Sequence, residues 1–361
     1  MSLSIGIVGL PNVGKSTLFN ALTNNDILAA NYPFATIEPN TGIVPVPDAR
    51  LDRLKTIYNS EKVIPATVTF VDIAGLVAGA SKGEGLGNKF LDNIRKTDAI
   101  IHVVRAFESA NILRHDESPV HPKSDIEIIN TELILADMQT IEGRLPKLQK
   151  EAKAKPAARE HIGYLESLLR HLETGTPLSA LPSLDSEAIG DLHLLTAKPV
   201  IYAFNVDEAA LTDEAKRQEL VSLVAPARTI FICAKIEEEI KDLPEEDALE
   251  LLEAYGVPET GLHQLIKAAY DTLGLQSYLT AGQKEVRAWT IRKGSTAPQA
   301  AGAIHTDFER GFIAAQIVDY DDLITAGSEN AAKAAGTVRT EGKDYIMQSG
   351  DVVEFRFNVT K

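Results

Sequence analysis

Gly9-Leu10-Pro11-Asn12-Val13-Gly14-Lys15-Ser16 follows a short apolar run, Ile5-Gly6-Ile7-Val8, and leads into Thr17-Leu18-Phe19-Asn20-Ala21-Leu22, where apolar residues recur at helical spacing. A strand, then G-x-x-x-x-G-K-[ST], then a helix is the layout of a phosphate-binding loop. Gly9 and Gly14 let the backbone curl until successive N–H groups from Asn12 to Thr17, Val13 among them, converge on phosphate oxygens. The helix dipole favours an anion at that same place. In this arrangement Lys15 neutralises the β- and γ-phosphates and the Ser16 hydroxyl binds Mg²⁺.

Downstream residues complete the site in a fixed order. Asn31 to Gly42 is rich in turn formers and reads as a connector, with the Thr36 hydroxyl as a second Mg²⁺ ligand. The β-branched run Thr67-Val68-Thr69-Phe70-Val71 delivers Asp72-Ile73-Ala74-Gly75 at its carboxyl end, where open α/β sheets place their ligands. Asp72 is suited to hold a water on Mg²⁺, and the Gly75 N–H to bond the γ-phosphate. The glycine-rich run from Gly79 to Gly87 reads as a segment that orders around a triphosphate.

A base-reading site should follow, and it departs from the guanine pattern. Guanine is read by N-K-x-D, whose aspartate accepts from N1–H and the 2-amino group. Here the run is Asn205-Val206-Asp207-Glu208, followed after the next strand by Cys233-Ala234-Lys235. Val206 replaces the lysine, and Glu208 is one methylene longer than aspartate. A site built on paired hydrogen bonds discriminates by roughly 10⁴–10⁵-fold, so damage to the pair removes guanine preference. Backbone carbonyls near Asn205 and Val206 can serve adenine, and ATP over GTP is the expectation. Leu76 stands where related switches carry a water-orienting glutamine, so slow intrinsic hydrolysis is expected.

Composition bounds the rest. The 361 residues carry 36 basic and 51 acidic side chains, a net charge of −15, which argues against wholesale coating of nucleic acid. The single cysteine, Cys233, suits a reducing compartment, and no apolar stretch reaches membrane-spanning length, so a soluble cytoplasmic protein is expected. Ala99 to Ala106 is a nearly continuous apolar strand in which His102 reads as a core histidine. The acidic runs Glu237-Glu238-Glu239 and Glu245-Glu246-Asp247 read as solvated helices and loops.

From about Ser124 the period changes. Ile134, Met138, Ile141, Leu145 and Leu148 recur at four-three spacing, as do Ile162, Leu165, Leu169 and Leu172, which predicts an antiparallel helical hairpin. Pro146 should kink the first helix or end it early. Arg144, Lys147, Lys150, Lys153, Lys155, Arg159 and Arg170 face three glutamates, Glu151, Glu160 and Glu166, a local net charge of 7 − 3 = +4. That reversal fits a surface for an anionic partner, or a merely solvated face. After about Ser277, short strands at Arg287 to Ile291 and Val352 to Phe357 flank a helix near Ala297 to Ile304, which predicts a small α+β domain.

The runs G-L-P-N-V-G-K-S, N-Y-P-F-A-T-I-E-P-N, D-I-A-G-L-V-x-G-A-S-x-G-E-G-L-G-N-x-F-L and N-V-D-E together resemble the Obg-like ATPase, or YchF, family across the whole chain. The resemblance implies an α/β fold: a P-loop GTPase-type, mostly parallel sheet at 1–125 and 196–277, an inserted helical domain at 126–195, and a TGS-like β-grasp domain at 278–361. It further implies a Mg²⁺-dependent ATPase that binds the large ribosomal subunit and the whole ribosome, with K⁺ held near the phosphates by Asn12. By the same resemblance Val206 reads adenine through its backbone, with Cys233 and Ala234 on the base side. His115 is either a water-orienting group or a solvated loop histidine. Rival readings are a nucleotide-ordered ribosome-binding or RNA-binding scaffold, and a dual ATP/GTP hydrolase of Obg type.

Overall fold

The computed structural model describes residues 3–23, 40–73, 86–108, 119–153, 157–240 and 243–358. Its first sheet has six strands in the order β2-β4-β1-β5-β6-β7, namely Thr41–Pro45, Thr67–Asp72, Ser4–Val8, Ala99–Arg105, Val200–Asn205 and Arg228–Ile232. β1 lies parallel to both β4 and β5, and the parallel pairing continues through β6 to β7. All seven residues of β5 are buried, His102 included, because a parallel strand in the middle of such a sheet is covered on both faces. The chain reverses its strand order on either side of β1, and the phosphate loop leaves from the carboxyl end of that strand. An open α/β sheet places its ligand crevice there.

Between β5 and β6 the predicted hairpin is present as helices Pro122–Glu151 and Ala157–Glu173. Every residue of the two heptad-like series contributes to one apolar cluster, with Leu168, Leu178 and Ile189 added. Pro146 does not end the first helix, which continues to Glu151. The bond that proline forfeits is the one to the carbonyl of Glu142, an exposed residue where water can substitute. Meanwhile Ile141 and Leu148, both buried, hold the helix through the defect. Fully buried Asp137 fastens the return of the insertion by accepting from the N–H groups of Leu195 and Thr196 at 2.8 and 2.7 Å and from Thr196 Oγ1 at 2.6 Å.

A second sheet runs β11-β10-β12-β8-β9-β3: Arg339–Glu341, Phe312–Asp319, Asp351–Phe357, Leu275–Ala281, Glu285–Arg292 and Lys62–Ile64. Parallel β8 and β12 meet at its centre, each with an antiparallel neighbour, and helix Ala297–Ile304 follows β9, the α+β arrangement expected of this region. Gln299 Oε1 accepts from the Thr296 N–H at 2.8 Å at that helix's start.

The compact unit around this sheet is wider than 278–361. It takes in Ile43–Val68 and begins at Tyr270. β3 pairs in parallel with β9, Ser60 Oγ donates to Gly282 O at 2.6 Å, and helix Arg50–Tyr58 buries Leu51 and Leu54. The physical reason is that a three-residue strand cannot persist without a partner, and β9 offers an open edge.

Candidate nucleotide-binding site

The phosphate loop is built from backbone shape. Asn12 sits at φ 63° and Gly14 at φ 98°, the left-handed region that asparagine tolerates and glycine enters freely. A Cβ on Gly9 would lie 2.7 Å from the Val103 carbonyl oxygen, and one on Gly14 only 2.5 Å from Asn205 Nδ2. The loop is therefore pressed against β5 and against the end of β6. Asn205 Nδ2 donates to Val13 O at 3.1 Å and closes the contact. Leu18 N–H bonds Gly14 O at 2.9 Å, which starts the helix Lys15–Thr23 and directs its N-terminus at the loop. Ser16 and Thr17 are exposed at that terminus.

Lys15 is buried, and its Nζ lies 3.7 Å from Asp72 Oδ1. Register fixes the pair: Asp72 stands opposite Ile7, one residue from the end of β1. Asp72 Oδ1 is buried and accepts no hydrogen bond from the described residues. A buried carboxylate oxygen without a donor is costly unless a cation or its water completes it. One exposed hydroxyl, Ser16, and one under-satisfied carboxylate, Asp72, are oxygen donors of the kind Mg²⁺ takes when it keeps several waters. The residues present thus fit the ion. Thr36, Gly75, Leu76 and His115 lie outside the described residues, with most of the 31–42 connector and the glycine-rich run.

Beside the phosphate loop, a cavity of about 210 Å³ is lined by Gly14, Thr17, Asn205, Ala234 and Glu237 among others. Val206 is buried and its N–H bonds Ile232 O at 2.8 Å, so the run from Asn205 to Glu208 is tied to β7. Asp207 is already engaged: its Oδ1 accepts from the Ala210 N–H at 3.0 Å. Glu208 is ion-paired to Lys235, which holds its carboxyl below the usual range. Cys233 is buried, and burial pushes its thiol up. His102 is a core residue: burial lowers it to about 3, and its ring lies 5.2 Å from that of Tyr202.

Glu237 departs from the solvated reading of the acidic run. It is buried, accepts from the Leu262 N–H at 3.2 Å at the start of helix Gly261–Thr272, and burial pushes its carboxyl up to about 7. The signal was in the spacing. Cys233, Ile236, Glu237 and Ile240 fall at i, i+3, i+4 and i+7, a buried helical stripe that includes the acid. Among the described residues no group of three or more His, Cys, Asp or Glu forms a metal cluster, and no helix is long and apolar enough to cross a membrane.

A glycine-bent loop at the carboxyl end of the first strand, a buried lysine facing a strand-end aspartate, and an asparagine clamping the loop from β6 define a P-loop nucleotide-binding protein of the GTPase type. Family models agree: residues 4–152 match one described as a 50S ribosome-binding GTPase, and residues 275–358 match YchF-GTPase_C, described as a protein of unknown function (DUF933). The chain is 53% identical to the ribosome-binding ATPase YchF of Haemophilus ducreyi and 51% identical to that of Bacillus subtilis, over 99% of this chain and 100% of each relative. It also matches the solved structure of the Schizosaccharomyces pombe YchF GTPase with a TM-score of 0.87 at 41% identity, covering 98% of both chains. The chain belongs to the YchF family.

Proposed function

We propose that this protein is a slow, ribosome-stimulated ATPase of the cytoplasm that acts as a nucleotide-dependent switch. The observation that carries the base preference is the state of the two acids after Asn205: Asp207 is committed to Ala210 N–H and Glu208 to Lys235. Neither is presented as the paired acceptor that guanine requires, whereas adenine needs only backbone groups near Asn205 and Val206. ATP is then the main substrate and GTP a weaker one. The ribosome enters from the relatives, which are named as ribosome-binding ATPases.

In this reading Lys15 and the loop amides from Asn12 to Thr17 hold the phosphates and stabilise charge that develops on the transferred phosphoryl group. Ser16, Thr36 and, through a water, Asp72 are the residues that would hold Mg²⁺, which when bound would supply neutralising charge to the phosphates. Gly75 bonds the γ-phosphate, Asn12 takes K⁺, and His115 orients the water that Leu76 cannot. The helical hairpin is the ribosome-facing surface, in company with the C-terminal β-grasp domain. Lys147, Lys150, Lys153, Arg159 and Arg170 are exposed there, while Arg144 is drawn into a 3.5 Å ion pair with Asp191.

The test is turnover of ATP and GTP, with and without ribosomes, in K⁺ and in Na⁺. Ribosome-stimulated hydrolysis with ATP ahead of GTP is expected, and faster turnover in K⁺. Equal or tighter GTP binding would remove the adenine claim; ribosome pelleting that ignores Lys15→Ala, with no stimulated turnover, would favour a scaffold. Charge reversal at Lys150, Lys153 and Lys155 is expected to weaken ribosome binding and flatten its salt dependence. No change in either would leave the hairpin a solvated face.

A further inference from the structure

We infer that Lys235 acts as a lock on Glu208, and that base choice is set in part by this ion pair rather than by the length of the glutamate alone. The inference rests on the adenine reading above and adds the residue that enforces it.

The chemistry begins with what Glu208 could do if free. A carboxylate three positions after Asn205 has two acceptor oxygens. The added methylene lengthens its reach without changing its preference for a pair of N–H donors. Guanine offers such a pair in N1–H and its 2-amino group. Adenine offers an acceptor at N1, which a carboxylate repels. Left alone, Glu208 would therefore favour guanine over adenine, against the reading of the rest of the site.

Lys235 removes that tendency. It follows Cys233 and Ala234 at the start of helix Ala234–Ile240, bonds Glu208 Oε1, and lies 4.0 Å from Glu239 Oε1. The two partners report the same contact from both sides: the hydrogen bond to Lys235 is the first cause holding Glu208 down, and the bond to Glu208 is the first cause raising Lys235. Asp207, one position earlier, is turned to the backbone, its Oδ1 accepting from the Ala210 N–H at 3.0 Å.

Exposure sets the size of the effect. The side chains are 64% and 32% exposed for Lys235 and Glu208, so the pair is solvent-screened and its contribution is modest. Releasing it should shift the ratio of GTP to ATP affinity by about three- to five-fold.

The experiment measures Kd for ATP, GTP and ITP on the full chain, for wild type, Lys235→Met, Glu208→Gln and the double variant. Methionine keeps the aliphatic stem and removes the charge, and circular dichroism checks that each variant is folded. Lys235→Met is expected to raise the GTP:ATP affinity ratio by about three- to five-fold, less for ITP, which lacks the 2-amino group, and not at all when Glu208→Gln is also present. An unchanged ratio in Lys235→Met, or a shift that survives Glu208→Gln, overturns the lock. The wild-type ratio separately tests the adenine reading. A wild type that binds GTP better, with a Lys235→Met shift that depends on Glu208, would sink that reading and leave the lock standing.

Discussion

The two ends of the nucleotide site are made in different ways. The phosphate end is made of backbone conformation and burial: Gly14 and Asn12 at positive φ, Gly9 with no room for a Cβ, Lys15 and the Oδ1 atom of Asp72 out of solvent. Beyond Asn205, the side chains of Glu208 and Lys235 form an ion pair that reaches into water. Backbone shape admits few residue types, so that end is rigid in sequence and in space. A screened ion pair can be retuned by one substitution, so chemistry can drift there without loss of the fold.

Substitutions at each end can break this contrast. Lys15→Ala should have the largest effect, cutting ATP turnover by about 100- to 1,000-fold. A fall of less than tenfold would show that the loop amides suffice and that the buried lysine is structural.

Glu237→Gln probes the wall of the cavity beside the phosphate loop through pH. In the folded protein this carboxyl titrates near 7, above its usual 4.5, so the native state keeps a proton that the unfolded chain has lost between those values. Stability from this group is present below about pH 4.5 and falls as pH rises through 7, by about 3 kcal/mol in all. Glutamine can still accept from Leu262 N–H, and the variant should lose that slope and be the more stable protein at pH 8. Denaturant melts at pH 5 and pH 8 decide the point; equal slopes in both proteins would mean that Glu237 is ionised and well solvated.

Gly14→Ala acts where the two ends meet. Its methyl group would be forced to positive φ and against Asn205 Nδ2, so about 1–3 kcal/mol of stability should go, with ATP and GTP weakened alike. A selective loss of one nucleotide would mean that the clamp reads the base.

The phosphate end was legible in the sequence because its conformation restricts the residues that can occupy it. The hairpin was legible because Ile134 through Leu148 and Ile162 through Leu172 keep a long, regular period, and His102 because its neighbours are apolar on both sides. What escaped was non-local. Nothing in the three residues Lys62–Ile64 points to a strand 220 positions later, the difference between Lys62 and Glu285 to the nearest ten. Pro146 does not end its helix, because propensity speaks for an isolated helix and tertiary packing overrides it. Glu237 was hidden in a run of three acids whose other members are of the solvated kind.

The pairing of β3 with β9 bears on how the protein is born. Translation delivers Ile43–Val68 early, yet the rest of its unit begins only at Tyr270, about 200 residues further on. At roughly 5–20 residues per second, the early segment waits on the order of ten to forty seconds for its partners. The first helix and β1 have no such delay, since β4 and β5 follow closely. The emerging chain can therefore finish the inner strands of its nucleotide fold while the last-made unit is still missing more than half of its sheet. A fragment beginning at Tyr270 would in turn leave the outer edge of β9 bare, open to pairing with another chain.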